Sequence, residues 1–311
     1  MQTQWYFDQG ELKEATDTAN CQWLAITAPT DSEMAALETT YHLSKSQLAA
    51  ALDQRENPRV EIGLHVEDPA MVILRYPVQT HSAMGYRQYQ TLPLALFVLD
   101  KQIITITQEP LPLEEYLGNH LIQTFAPETF LLKLLWVTLH QFVEDMDRLN
   151  NEIDSMEGSL GHAAKNTQLY QIMAMQKSLI FFDDALGHSE QLLSILHDGP
   201  KFFNTPESAN NLHDVTVEVE QAQSMVRTGS KVLEQYNTAV SSVISNNLNL
   251  IMKVLTSITI ILTIPTIVGG IYGMNVRLPF AHAYNAFWWL MLITAVACAL
   301  VAWWLKRHDY F

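Results

Sequence analysis

Hydrophobic and polar positions follow different patterns in successive parts of this chain of 311 residues. Up to about residue 110, short segments rich in β-branched and aromatic residues predict strands: QWYFD, CQWLAITA, RVEIGLHVED, MVILRYPV and LALFVLDKQIITITQ. Between the second and third of these segments, residues 32–53 have helical spacing, with Asp31 as the expected N-cap. Pro110 and Pro112 then interrupt the pattern. We therefore expect a mixed α/β domain over residues 1–125.

Beyond this part the strand signal disappears, and apolar residues recur at helical spacing. We expect long helices over about 127–160 and 165–197, followed by a turn at 198–206 that contains Gly and Pro residues. The pattern then predicts one very long helix, from about Glu207 into an apolar segment, roughly 100 Å long at 1.5 Å per residue. A helix of that length needs packing partners, so residues 126–252 are expected to form an oligomeric stalk.

Two uncharged apolar segments end the sequence, over about 254–272 and 286–305. Each has the roughly 20 residues needed to cross about 30 Å of hydrocarbon. Paired Trp residues lie near both ends of the second segment, where interfacial aromatic side chains are found. Burial inside a water-soluble protein is the alternative, which two such segments in succession disfavour. We expect residues 253–311 to form a transmembrane region with a short tail.

Charged residues divide the chain in the same way. The formal net charge is −15, and all but one of the 33 acidic residues precede Lys253. An acidic body argues against nucleic acid as a partner, because phosphate groups require basic patches. Lys253, Lys306 and Arg307 flank the two spans, whereas the loop between them contains one basic residue, Arg277. The positive-inside rule then predicts a multi-pass protein of the cell membrane with both termini in the cytoplasm.

One helix face of the first span is its most polar face, and the residues on it follow one another at alternating steps of three and four. This stripe consists of Asn249, Met252, Thr256, Thr259, Thr263, Thr266 and Gly270, and Gly273 continues it. Its hydroxyls either bond to helix backbone, as in many membrane helices, or line a pore. Without carboxylates, such a pore would suit an ion that keeps much of its water, as Mg²⁺ does. Zn²⁺ prefers Cys, His or carboxylate ligands, of which the spans contain only Cys298.

The first span ends in a short motif, and related pieces precede it. These pieces are Asn246, Asn247 and Asn249; Met252-Lys253-Val254-Leu255-Thr256; Pro265-Thr266; and Gly270-Ile271-Tyr272-Gly273-Met274-Asn275. In this position, after a long helix and before a second span, the set resembles the signature of the CorA-type divalent metal cation transporters. Upstream, Phe181-Phe182-Asp183-Asp184 with His188 resembles another family segment, in which an Arg usually occupies the place of Asp183. Residues 240–275 carry most of the resemblance, and the general layout agrees over the whole chain.

The resemblance implies a homopentameric funnel with a cytoplasmic α/β domain, long stalk helices and two C-terminal transmembrane helices per chain. The first spans would surround a central pore, lined by the stripe together with Leu255. The implied selectivity filter is Gly273, Met274 and Asn275. A ring of Asn275 carboxamides would bind the metal ion by accepting hydrogen bonds from its water, and Gly273 would permit tight packing.

The resemblance also implies an apolar constriction near the cytoplasmic end of the pore, at Met252 and Leu255. Around it, Lys253, Lys306 and Arg307 would form a basic collar. Ordinary positive-inside anchoring explains the same three charges equally well.

In the family, cytoplasmic Mg²⁺ holds the channel shut. Asp214 on the stalk helix is the candidate regulatory ligand, and Glu218 lies one turn further along. Another acidic cluster consists of Glu144, Asp145 and Asp147. Most such carboxylates simply belong to solvated helix faces. No resident cofactor is expected, and Mg²⁺ is expected as the transported and regulatory ion.

The loop after the filter departs from the family pattern. The family usually has a Glu after the Asn, often in Met-Pro-Glu-Leu, whereas residues 276–280 here read Val-Arg-Leu-Pro-Phe. A ring of Arg277 side chains at the pore mouth would repel cations, although salt screens this effect over about 8 Å. The departure weighs against magnesium more than against transport.

These features predict a channel for hydrated Mg²⁺, and also for Co²⁺ or Ni²⁺. No enzyme is expected, because no hydrolase or kinase motif is found in the sequence. Two alternatives stay open: a zinc transporter of the same family, with or without proton coupling, and a non-conducting, membrane-anchored metal sensor.

Overall fold

The computed structural model describes residues 1–8, 11–15, 20–62, 69–111, 113, 117, 125–157, 166–198, 206–276, 279, 284–308 and 310. The chain forms two compact units, Met1–Ser159 with Asn166–Asn237, and Thr238–Phe311 with Leu160–Lys165. The strands are β1 (Gln2–Asp8), β2 (Glu11–Glu14), β3 (Trp23–Thr27), β4 (Arg59–Glu61), β5 (Ala70–His81), β6 (Arg87–Val98) and β7 (Ile103–Thr107). The helices are α1 (Asp31–Tyr41), α2 (Lys45–Leu52), α3 (Pro127–Glu157), α4 (Asn166–Asp198), α5 (Pro206–Tyr272) and α6 (Ala286–Arg307).

The described strands form one mixed sheet in the order β2-β1-β3-β7-β6-β5-β4. Among them, β3 and β7 pair in parallel, with Leu24 opposite Ile104, and the other neighbours are antiparallel. The first eight residues of β5 are all buried, because both faces of the sheet are covered. On one face, Leu37 and Leu48 of α1 and α2 join the core. On the other face, the ring of Trp23 packs edge-on against Phe130 of α3.

The helix predicted over 32–53 is two helices, α1 and α2. The chain turns between them at His42, which has a left-handed backbone (φ 57°). Asp31 lies in the first turn of α1 rather than at its cap. The N-caps are Thr30 and Ser44, and each forms a capping box with the Glu or Gln three residues later. These two capping boxes are visible in the sequence as S/T-x-x-E/Q, and the prediction missed them.

Two parts of the sheet differ from the predicted strands. Strand β2 was not predicted, and the segment predicted as LALFVLDKQIITITQ is the end of β6 and the whole of β7. Between them the Leu99 N–H bonds to the Gln102 carbonyl at 2.9 Å. Residues 63–68, which carry the end of RVEIGLHVED, lie outside the described residues.

Helices α3 and α4 agree with the predicted ranges to within a few residues. Helix α5 is the predicted long helix, and it continues without a break through Pro265. Its periodic apolar residues are buried in the first unit: Leu212, Val215, Val219, Ala222, Val226 and Leu233. At Gly229 a Cβ would lie 3.2 Å from the Met146 Cε, so glycine allows α5 to approach α3 closely. The turn expected at 198–206 falls mostly outside the described residues.

In the second unit, the end of α5 packs against α6. Both helices are long and apolar enough to cross a membrane. Cys298 of α6 directs its thiol to the carbonyl of Ile261, with an S···O distance of 3.7 Å. Most other side chains of the two segments are exposed, including Trp288, Trp289 and Trp303, as expected for surfaces that face lipid or further copies of the chain.

Candidate functional site

The predicted stripe lies on the side of α5 opposite to its contact with α6. The less exposed positions of the span mark that contact and are Val254, Ser257, Ile261, Ile264 and Val268. Each stripe threonine is two residues from one of these positions, and two residues turn a helix through about 200°. The side chains of the stripe are exposed in the single chain. Since α6 covers the other face, the polar stripe is left free for further copies of α5 or for water.

Three threonine hydroxyls of the stripe donate to their own helix backbone. Thr259, Thr263 and Thr266 bond to carbonyls four residues earlier, at 2.8, 2.7 and 3.0 Å. This arrangement uses the one hydroxyl proton and leaves the oxygen lone pairs as acceptors. Water bound to a metal cation donates hydrogen bonds outwards. The stripe therefore has the polarity required by a hydrated cation, and it also satisfies its own donors.

Helix α5 ends immediately before the predicted filter. The Gly273 N–H bonds to the Gly269 carbonyl at 2.9 Å, and the Met274 N–H bonds to the Ile271 carbonyl at 3.3 Å. A Cβ at residue 273 would lie 3.1 Å from the Gly269 oxygen, which is a tight contact with backbone. Asn275 is exposed just beyond this turn.

The loop that follows the filter is described only in part. Residues 277–278 and 280–283 lie outside the described residues, so the predicted effect of Arg277 stays a prediction. Within the described part, the Tyr272 hydroxyl donates to the Pro279 carbonyl at 3.4 Å.

Met252 and Leu255, the predicted constriction, are more than half exposed in the single chain. The predicted collar residues meet aromatic rings. The Lys253 ammonium lies 5.9 Å from the Tyr310 ring centroid, and the Arg307 guanidinium lies 5.4 Å from that of Trp303. The structure therefore brings Lys253 to the C-terminal tail.

Asp214 is exposed on α5 and lines a groove of about 370 Å³ in the first unit. Lys133 and Trp136 of α3 and Asn211 and Glu218 of α5 also line the groove. Among the described residues of the single chain, no group of three or more His, Cys, Asp or Glu side chains is arranged to hold a metal. The described residues of one chain therefore offer no complete set of ligands for an ion at Asp214.

The acidic cluster on α3 is largely engaged with Arg148. Arg148 bonds to Asp145 at 2.6 Å and pairs with Glu144 at 3.5 Å, while Asp147 is exposed. Burial raises the pKa of Asp145, and Arg148 partly opposes this shift. Burial also raises the pKa of the nearby Tyr89 to about 12, and the charge of Asp145 adds to the effect. The predicted cluster is therefore a structural network rather than a shared metal site.

Sequence reasoning missed the pairing of His140 with Glu218. The Nδ1 atom of His140 lies 2.7 Å from Oε1 of Glu218 across α3 and α5. In contrast, His188 contacts Asp184 of its own helix, and Glu190 accepts a hydrogen bond from Gln223 at 2.9 Å. The spacing of Trp136 and His140, one turn apart on α3, was the available signal for a stacked imidazole.

Comparison with known proteins relates nearly the whole chain to one family. The model of a family described as CorA-like Mg²⁺ transporter protein matches residues 18–307. The cobalt/magnesium transport protein CorA of Methanocaldococcus jannaschii is 25% identical over 297 residues, which cover 93% of this chain and 90% of that protein.

Solved structures agree with this relationship. The complete structure of the CorA magnesium transporter from Methanocaldococcus jannaschii matches with a TM-score of 0.81 and 21% identity, over 100% of this chain and 99% of that chain. Full-length CmaX matches with a TM-score of 0.73 and 16% identity, over 99% and 97%. The cytoplasmic domain of ZntB from Vibrio parahaemolyticus matches with a TM-score of 0.60 and 12% identity, over 77% and 96%. These matches confirm the predicted fold of an α/β domain, long helices and two C-terminal apolar helices.

Proposed function

The chain belongs to the CorA-like Mg²⁺ transporter family, and on that premise we propose that it forms a channel through which hydrated Mg²⁺ crosses the cell membrane. Family membership makes the chain a membrane transport protein and confirms that it is not an enzyme. The observation that best supports a pore is the stripe of Thr256, Thr259, Thr263 and Thr266, opposite the face packed on α6.

We propose a homopentamer in which the stripes of five first spans face a common axis. The second span then lies outside the ring and faces lipid, in agreement with its exposed apolar side chains. Lys253, Lys306 and Arg307 place both termini in the cytoplasm. A pore of this kind needs no fixed negative charge, because its acceptor oxygens accept hydrogen bonds from the water molecules bound to the ion.

Transport follows the electrochemical gradient in this proposal. A membrane potential contributes about 2.3 kcal/mol per charge per 100 mV, and about twice that for a divalent ion. Asn275 selects hydrated ions at the outer mouth by accepting hydrogen bonds from their water. The threonine oxygens then replace part of the bulk solvent along the pore. Met252 and Leu255 form an apolar constriction that closes by excluding water.

The test is metal flux into liposomes that contain the purified chain, with Mg²⁺, Co²⁺, Ni²⁺ and Zn²⁺ under imposed potential and pH gradients. We expect potential-driven Mg²⁺ flux that Asn275→Ala reduces at least tenfold, on the order of the loss of one oriented hydrogen-bonding group per subunit. Asn285→Ala is the matched control, because Asn285 is exposed at the start of α6 and its side chain makes no capping hydrogen bond.

Other outcomes separate the alternatives. Zinc flux that requires a proton gradient would favour a zinc transporter. Absence of flux for every ion, with the protein intact, would favour a metal sensor. Full Mg²⁺ flux through the Asn275→Ala chain would contradict the proposed filter.

A further inference from the structure

The C-terminal tail folds back onto the beginning of the first span. After α6 ends at Arg307, the Tyr310 N–H bonds to the Leu305 carbonyl at 3.1 Å. The Tyr310 carbonyl in turn accepts a hydrogen bond from the Ser257 hydroxyl at 3.3 Å. The ring of the same residue lies 5.9 Å from the Lys253 ammonium. The tail is therefore attached to α5 at two positions that are one helical turn apart.

The contact at Ser257 is enclosed rather than superficial. Ser257 is 0% exposed, and Leu305, which anchors the tail, is 2% exposed. Within the described part of the membrane segments, Ser257 is the buried polar side chain. A buried hydroxyl requires a hydrogen-bond partner, and the tail carbonyl provides one from outside the helix. Loss of the tail would remove this partner and uncover the packed face.

The two attachment points lie directly behind the predicted constriction. Leu255 is two residues from both Lys253 and Ser257, so its side chain projects about 200° away from each of them. Met252 lies on the same side as Leu255. The tail thus holds the first span on the side that faces the second span, away from the proposed pore axis.

We propose that Tyr310 is a positioning residue for the pore, which holds the cytoplasmic end of the first span against the second span and so keeps the constriction from collapsing inwards. The inference rests on the proposed function for the location of the pore axis. Apolar side chains that close around a pore exclude water and stop conduction. An attachment on the outer side of the helix opposes that inward movement, and its release allows the constriction to narrow.

The primary test measures the accessibility of the constriction without any need for transport. A Leu255→Cys chain, with Cys21→Ser and Cys298→Ser to remove the other thiols, is reconstituted and treated with a water-soluble thiol reagent. We expect the introduced thiol to react about fivefold more slowly when Tyr310→Ala is added, as loss of one weak contact per subunit predicts. A chain that ends at His308 loses the hydrogen bond as well and should react more slowly still.

Tyr310→Phe is the matched control, because it keeps the ring and the backbone carbonyl and should leave the reaction rate of the thiol unchanged. Equal rates in the parent, Tyr310→Ala and shortened chains would overturn the inference, and so would faster rates. The oligomeric state of each chain, checked by size-exclusion chromatography, must be the same for the comparison.

Metal flux in the chain with Leu255 intact supplies the second readout. Tyr310→Ala and the shortened chain should carry about fivefold less Mg²⁺ than the parent, and Tyr310→Phe should carry as much. A parent chain that carries no metal would contradict the proposed function, while the thiol rates would still decide whether the tail positions the constriction. Normal flux through the shortened chain would contradict the inference alone.

Discussion

His140 Nδ1 lies 2.7 Å from Glu218 Oε1, and this contact joins α3 to α5 next to Asp214. The imidazole also stacks on Trp136, with ring centroids 4.7 Å apart and planes 10° apart. Only 13% of the Glu218 side chain is exposed. A carboxylate in such a place keeps its desolvation cost when its partner is removed. The pair therefore fixes the two helices that border the groove at Asp214.

We expect His140→Ala to lower the melting temperature of the first unit by about 2–4 °C, as a loss near 1 kcal/mol does in a domain of this size. The measurement is thermal unfolding of the full chain, followed by circular dichroism. His188→Ala is the control, because the contacts described for His188 are with Asp184 of its own helix. Equal melting temperatures for the parent and His140→Ala would contradict a structural role for the pair.

Asp145 should make the stability of the same unit depend on pH. Burial raises its pKa in the folded state above the ordinary value of 3.8. At pH values between the pKa of Asp145 in the unfolded state and its pKa in the folded state, the folded state binds more protons. The contribution of Asp145 to the free energy of unfolding therefore falls as the pH rises through this range. We expect Asp145→Asn, which cannot ionise, to gain stability relative to the parent as the pH rises above about 4.

Unfolding by urea at several pH values in this range tests the prediction for Asp145. Asp147→Asn is the control, because Asp147 lies two residues further along α3 and is exposed. If the free energies of unfolding of Asp145→Asn and the parent differ by the same amount at every pH, ionisation of Asp145 does not contribute to stability.

Periodicity and resemblance were enough to predict the long helices and the two C-terminal apolar helices, since these features depend on residues close together in sequence. The break at His42 was also local, and the capping boxes at Thr30 and Ser44 would have revealed it. The contact of His140 with Glu218 joins residues 78 apart, and that of Ser257 with Tyr310 joins residues 53 apart. Such pairs depend on how helices pack, which a single sequence does not determine.

Thr263→Val tests whether acceptor oxygens in the stripe hold hydrated ions. Valine has nearly the same shape as threonine but offers no lone pairs to metal-bound water. We expect Mg²⁺ flux into liposomes to fall about threefold to tenfold, because each subunit loses one acceptor. Thr294→Val is matched to it, since the Thr294 hydroxyl of α6 also donates to a carbonyl four residues earlier, at 2.8 Å. A similar loss of flux from both variants would mean that the threonines only stabilise helices.

Gly273→Ala tests the turn at the end of α5. The added Cβ would lie 3.1 Å from the Gly269 carbonyl oxygen, so the chain must shift where it leads into Asn275. We expect selectivity for Mg²⁺ over Zn²⁺, measured as a flux ratio, to fall at least threefold, because small misplacements of binding groups have large effects. A Cβ at Gly269 meets nothing within 4 Å, and Gly269→Ala should keep the ratio of the parent. An unchanged ratio for Gly273→Ala would mean that the filter tolerates the shift.

Asp214→Ala tests closure by cytoplasmic Mg²⁺. Asp214 is exposed in a groove of about 370 Å³ and has no complete metal site within the described residues of one chain. Mg²⁺ usually keeps several waters and binds through one or two carboxylates, so a single carboxylate can still bias the channel towards closure. We expect Asp214→Ala to raise the internal Mg²⁺ concentration that halves uptake by about tenfold, within the usual range of coupling between sites.

The uptake assay for Asp214 uses liposomes loaded with increasing Mg²⁺, and protection from limited proteolysis by Mg²⁺ gives a readout that is independent of flux. Glu220→Ala is the control, because Glu220 is exposed on the same helix and does not line the groove. If Asp214→Ala leaves both inhibition and protection as in the parent, Mg²⁺ acts elsewhere. If both variants weaken inhibition equally, the general negative charge of α5 attracts the ion and Asp214 has no special role.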